Sequence, residues 1–175
     1  MVTTESIMDV LRTIDDPEMP ISIVDLGLVE DVQVQAGGAE ASVSIDILPT
    51  FVGCPALEMI ARQITDAVSA LDGVDRTNVR FVYDPPWSVD RISPAGRASL
   101  RDHGVTVPEH GSSLPVPGHS GGFPPGAVEL RISAVKCPYC SSDQTKLESM
   151  FGPTRCRMIY YCTACRNSFE HMKKV

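Results

Sequence analysis

The sequence predicts an α/β domain, a two-layer α+β sandwich with helices over a small mixed sheet, followed by a small C-terminal β module. Three observations predict this. Over the first hundred residues the hydrophobic period switches from helical to alternating and back, in the order α-β-β-α-β. Eleven of the twenty-five residues at 104–128 are Gly or Pro, and no hydrophobic period survives there. Beyond them, residues 131–175 hold five of the six cysteines. The chain accordingly divides into an α/β domain at 1–103, a linker at 104–130 and a cysteine-rich ribbon at 131–175.

Thr3 or Thr4 can cap a first helix whose Ile7, Val10, Leu11 and Ile14 share one face, and Pro17 stops it. Val32 and Val34 then alternate with glutamines. AGGAE makes a turn, and Val43, Ile45 and Ile47 alternate with Ser42, Ser44 and Asp46, which reads as a β-hairpin with one wet face. Pro55 opens a second helix, with Leu57, Ile60, Ile64, Ala67, Val68 and Leu71 along one side, ended by Asp72-Gly73. Val79, Phe81 and Tyr83 predict a third strand, and a short helix follows near Ala95–Asp102. About a hundred residues suffice for an independent core. As a flexible coil the linker spans roughly 25–30 Å, so the tail can be a separate module.

Composition narrows the function. A chain of 175 residues with 43% hydrophobic and 21% charged content is ordinary for a globular protein. No apolar run approaches the roughly 18–20 residues that span a bilayer. The first residues lack the basic-then-apolar order of a signal peptide, so a cytoplasmic location with reduced thiols is expected. The net charge of −7 divides into −12 over residues 1–130 and +5 over 131–175. The acidic part repels nucleic acid; the basic tail leaves some room for it.

Cys137-Pro-Tyr-Cys140 and Cys162-Thr-Ala-Cys165 are two CxxC pairs separated by twenty-one residues. Each aims two sulfurs at one ion, and together they close a tetrahedral site at about 2.3 Å. The expected metal is a structural zinc, with iron as the alternative. Four sulfurs leave no open position for catalysis, and binding worth about 10–16 kcal/mol offsets the small core. Cys156 is left over. On a strand Arg155–Tyr161 it shares a face with Met158, Tyr160 and Cys162, but roughly 20 Å from Cys162, so it is read as a small buried residue under the hairpin.

The sixth thiol, Cys54, sits between Gly53 and Pro55, where a loop meets a helix. The unsatisfied N–H groups of a first helical turn should depress its pKa and favour a nucleophile or soft-metal ligand. The acidic run Asp15-Asp16-Pro17-Glu18 is a solvated turn or a carboxylate partner for such a thiol. Trp87, the only tryptophan, is a core anchor or a partner contact.

DPEMPISIVDLGLV (16–29), TFVGCP (50–55), DPPWSVDRIS (84–93) and GRASLRDHGV (96–105) together resemble the small α/β domain of SufT-like metal–sulfur cluster assembly factors. The tail, CPYCSSD…FGPTRCRMIYYCTACRNSFEHMK, resembles the ribbon of the PaaD family, accessory proteins of multicomponent phenylacetyl-CoA ring epoxidases. The resemblance implies a maturation factor for iron–sulfur or other metal centres rather than an enzyme. It implies a transient iron–sulfur cluster or iron at Cys54, with Asp16 and Glu18, and makes Cys156 part of the ribbon pattern. Its implied partners are the epoxidase or its iron–sulfur reductase as client and the iron–sulfur assembly machinery, with no membrane; a homodimer is left open. Ser141 departs from the Gly that many ribbons have there, and Met172 from an aromatic residue. Two rivals differ in class. A nucleic-acid-binding ribbon would use the basic tail, but Tyr160, Tyr161 and Phe169 stand where a ribbon core needs them. A Cys54-dependent thiol enzyme lacks an obvious base, since His103 is the only histidine before the linker.

Overall fold

A computed structural model of the chain describes residues 2–37, 40–109 and 135–174. Thr3 caps α1 (Thr4–Leu11) in a reciprocal pairing with Ser6, and Ile7 and Leu11 turn inward. The helix stops well before Pro17, which falls in the turn beyond. β1 (Val29–Ala36) and β2 (Ala41–Ile47) form the expected antiparallel hairpin, with a bulge near Glu30. Strict alternation in β2 buries Val43, Ile45 and Ile47 and leaves Ser42, Ser44 and Asp46 on the other face.

A parallel pairing of β2 with β3 (Val74–Phe81) needs a long crossover, and α2 (Leu57–Ser69) supplies it. Ile60, Ile64 and Val68 line the face that α2 lays on the sheet. The sheet order is β1-β2-β3, so the most apolar strand is central. Tyr83 lies beyond β3 and is exposed. A short 3-10 turn at Val89–Arg91 leads into α3 (Pro94–Asp102), capped by Ser93, whose hydroxyl also bonds Asp25.

Trp87 answers one open question. It is buried in the core and its indole N–H donates to the Leu26 carbonyl at 3.0 Å. The partner-contact reading is therefore corrected: the ring is part of the buried core, and its one polar atom is satisfied by the Leu26 carbonyl. Gly27 makes that segment possible. Its φ is +75°, and a Cβ there would sit 2.6 Å from the Arg91 Cβ.

The tail forms a second sheet, ordered β4-β7-β6-β5, from β4 (Val105–Thr106), β5 (Thr145–Ser149), β6 (Arg157–Cys162) and β7 (Ser168–Met172). β4 comes from residues read as linker, yet it pairs in parallel with β7, and the Glu170 N–H donates to the Gly104 carbonyl at 3.0 Å. Gly104–Thr106 therefore belong to the ribbon sheet. A Gly-containing stretch without hydrophobic period still has backbone groups to pair, and an edge strand of two residues needs no period. The linker reading of residues 110–130 lies outside the described residues.

The tail is also packed against the first domain rather than held apart from it. Cys156 and Met172 belong to the same buried cluster as Ile45, Ile47 and Ile60. Among the described residues, Cys137, Tyr160, Cys162 and Phe169 form a buried core local to the ribbon, with Val135, Leu147, Met158 and Cys165 partly buried against it.

Candidate functional site

Two near-identical knuckles build the cysteine cluster. The Ser141 N–H donates to the Cys137 carbonyl and the Arg166 N–H to the Cys162 carbonyl, both at 2.9 Å. The Cys137 N–H then reaches the Ser142 carbonyl at 3.0 Å, and the Cys162 N–H reaches that of Asn167 at 2.9 Å. Tyr160 stacks on Phe169, centroids 5.7 Å apart, beneath the knuckles. All four sulfurs lie within 4.8 Å of one another, with Cys137–Cys165 and Cys140–Cys162 at 3.6 Å. Four sulfurs bonded at 2.3 Å to a central ion stand roughly 3.8 Å apart, so the arrangement fits a tetrahedral metal.

Thiol chemistry points the same way. Cys165 is lowered to about 6, chiefly because the Asn167 side chain donates to its sulfur. For Cys140 the Ser142 N–H works to lower the pKa, but desolvation and the three neighbouring sulfurs outweigh it and push the thiol up to about 12. A bound cation would displace the proton that Cys140 keeps.

Both knuckles end in a left-handed residue, Ser141 at φ 60° and Arg166 at φ 62°. This explains why Gly is at home at such a position. Ser141→Gly or Arg166→Gly should therefore stabilise the metal-loaded ribbon by roughly 0.5–1 kcal/mol, after glycine's unfolded-state entropy offsets part of the relieved strain. Denaturant midpoints measure this, and unchanged midpoints in both variants would contradict it.

Cys54 lies elsewhere. Gly53 takes φ +79° and turns the chain so that the Cys54 N–H donates to the Phe51 carbonyl at 3.3 Å. The thiol is half-buried against the main core. Its expected depressed pKa is overturned. α2 starts at Leu57, behind an Ala56 cap, so Pro55 and Cys54 precede the helix instead of opening it. Burial pushes the thiol up; the Ala56 N–H opposes this, while Glu18, Asp16 and Cys156 add to it. One backbone donor does not outweigh desolvation and three acidic neighbours.

The acidic turn acts on Cys54 electrostatically, through Glu18 and Asp16. Asp16 is buried, not solvated: its carboxylate accepts the Glu18 N–H at 2.8 Å, and an isolated bridge between Asp15 and Ser22 closes the turn. Burial raises the Asp16 pKa, the Glu18 N–H opposes, Glu18's charge adds, and the Met19 N–H and Arg157 oppose.

The structure brings in two residues from the ribbon. Cys156 lies outside the four-cysteine cluster, as strand distance requires, but it packs in the α/β core rather than under its own hairpin. Buried Arg157 pairs with Glu170 at 2.6 Å and acts on Asp16. Sequence reasoning passed over Arg157 as one of several basic tail residues. Its adjacency to Cys156 was the available signal.

Comparison with known proteins gives matches to both halves. Residues 4–81 match the family described as iron–sulfur cluster assembly protein, and residues 125–173 match the PaaD zinc beta ribbon domain. An Escherichia coli K12 protein, provisionally named as a component of 1,2-phenylacetyl-CoA epoxidase, is 35% identical over 166 residues, 93% of this chain and 88% of its own length. The Bacillus subtilis Fe-S protein maturation auxiliary factor YitW is 35% identical over 55% of this chain and 91% of its own. The Staphylococcus aureus Fe-S protein maturation auxiliary factor SufT is 34% identical over 49% of this chain and 93% of its own. The shorter relatives thus align with part of the chain, whereas the Escherichia coli protein aligns across nearly all of it. The chain belongs to the family of that epoxidase component, with an iron–sulfur cluster assembly domain in front and a PaaD zinc ribbon behind.

Proposed function

We propose that the chain is an accessory maturation factor that delivers or installs an iron–sulfur or other metal centre in the multicomponent phenylacetyl-CoA epoxidase. The most natural client is the iron–sulfur cluster of the reductase component. The observation that carries this reading is the placement of Cys54: a half-buried thiol beside Asp16 and Glu18, with the ribbon packed on the same core. The names of the relatives, two maturation auxiliary factors and an epoxidase component, support it.

Thiol chemistry favours delivery over catalysis. Desolvation and three acidic neighbours keep a proton on Cys54, the opposite of what activates a nucleophile. A soft cation can displace that proton, and the returning proton helps to release the cargo. The four ribbon cysteines are read as holding a structural zinc, with the ribbon docking the client and assembly machinery at the other end of the exchange. The division into an α/β domain and a C-terminal ribbon, with Gly104–Thr106 on the ribbon sheet, and a cytoplasmic location belong to the same proposal; among the described residues no helix is long and apolar enough to cross a membrane. Nucleic-acid binding is disfavoured because Tyr160 and Phe169 are buried on each other, out of reach of bases.

The test is client loading. Cells lacking this chain should yield epoxidase or reductase with less iron and labile sulfide per polypeptide than cells containing it, at equal client abundance. Equal loading would sink the proposal.

A further inference from the structure

We infer that Cys156 of the ribbon is a second thiol ligand for the cargo held by Cys54, so that the transfer site spans the two parts of the chain. The inference deepens the reading of Cys54 above and rests on it.

The placement comes first. Cys156 is buried in the α/β core cluster, and Cys54 packs against that same cluster. The chain around each thiol meets the other: the Arg155 guanidinium lies over the Phe51 ring, 5.7 Å from its centroid. Thus the 51–54 turn and the 154–157 segment are neighbours through this contact.

The ribbon then holds its thiol in place. The Lys173 N–H donates to the Cys156 carbonyl at 2.8 Å, and the Lys173 ammonium donates to the Arg155 carbonyl at 2.8 Å. The Thr154 hydroxyl sits 3.1 Å from the Cys156 sulfur. That hydroxyl accepts from the Arg157 guanidinium at 2.8 Å, so the same arginine that acts on Asp16 fixes the surroundings of the sulfur. Charge agrees with the placement. Cys156, Asp16 and Glu18 all raise the Cys54 pKa, which requires them to share its electrostatic neighbourhood.

Two thiols make a soft donor pair for iron or another thiophilic divalent cation, and Asp16 and Glu18 add negative charge nearby. Each sulfur would lose its proton to solvent as its bond to the metal forms, and no electrons move. Arg157, adjacent to Cys156 and acting on Asp16, offsets part of the negative charge that such a complex gathers. A two-part site also has a release route, since parting the ribbon from the α/β domain removes one ligand.

The experiment uses full-length, zinc-loaded protein titrated anaerobically with cobalt(II), read by thiolate-to-cobalt charge-transfer absorption. Zinc is measured in the same samples so that exchange in the ribbon is recognised. Wild type should take up one cobalt beyond its retained zinc. Cys156→Ser should retain its zinc, weaken cobalt binding at least about 10-fold and roughly halve the charge-transfer intensity. Wild-type affinity and intensity in Cys156→Ser, with loss in Cys54→Ser, would overturn the inference and leave the Cys54 reading standing. Wild-type binding in Cys54→Ser would remove both. Because Cys156→Ser can disturb packing, dibromobimane, a reagent that bridges neighbouring thiols, gives an answer without any variant. A Cys54–Cys156 bridged peptide, suppressed by prior cobalt, is expected. Its absence from wild type overturns the inference.

Discussion

Removing the metal from Cys137, Cys140, Cys162 and Cys165 is expected to unfold residues 135–173 while residues 4–102 stay folded. The two halves differ in what holds them. Among the described residues the ribbon's own buried cluster is Cys137, Tyr160, Cys162 and Phe169, and two of these are candidate metal ligands. Without the ion, stabilisation of about 10–16 kcal/mol disappears from a module with almost no other core. The α/β domain keeps Ile7, Leu11, Ile45, Ile47, Ile60, Ile64 and Leu100, each of them fully buried. It does lose the cover of Met172 and Cys156. By analogy with emptying a core position, that costs about 2–4 kcal/mol, enough to lower its midpoint without unfolding it. Amide exchange after chelation should show the selective loss. Faster alkylation of Cys54 should accompany it, because the ribbon covers the core on that side. Exchange of both halves together, or of neither, would contradict the division of stability.

Local chemistry was legible in the sequence wherever one residue type has one physical use. Alternation at 42–47, the apolar stripe from Leu57 to Val68 and the paired CxxC motifs each predicted an element that is present. Proximity between the halves was not legible. Nothing in Cys156 distinguishes a thiol under its own hairpin from one in a neighbouring core, since both are buried. Trp87 was undecided for the same reason, and only the Leu26 carbonyl shows its orientation. The error over the Cys54 pKa has a different origin. A proline commonly opens a helix, but here the helix begins two residues later, and the donors expected at the sulfur reduce to one. The acidic turn looked solvated because it is rich in charge. Its burial follows from the Ser22 bridge and the apolar Met19, Ile21 and Ile23, which carry Asp16 inward with them.

Cys54→Ser is expected to fold normally and to leave the client severely under-loaded. Sulfur to oxygen changes little volume, and the site is a half-buried turn with space around Gly53, so stability should move by less than about 1 kcal/mol. A hydroxyl does not replace a thiolate for a soft cation. Even outer partners of a metal site are worth about 10–100-fold in affinity, so loss of the ligand itself should exceed roughly 100-fold. Asp16→Asn separates function from packing in the same assay. The fold raises the Asp16 pKa, so the carboxylate makes the native state less stable as pH rises through the window between its unfolded and folded values. Above that window the penalty is fully present. An amide removes it while keeping an oxygen to accept the Glu18 N–H, so Asp16→Asn should be at least as stable as wild type at neutral pH. If Asp16 serves the cargo, the variant should nevertheless load the client less well. A protein that becomes no less stable and works less well has kept a buried charge for its chemistry. The measurement is iron and labile sulfide per client polypeptide, with wild type, Cys54→Ser and Asp16→Asn at matched abundance. Full loading by Cys54→Ser would remove this thiol from the mechanism and leave the α/β domain only a docking role.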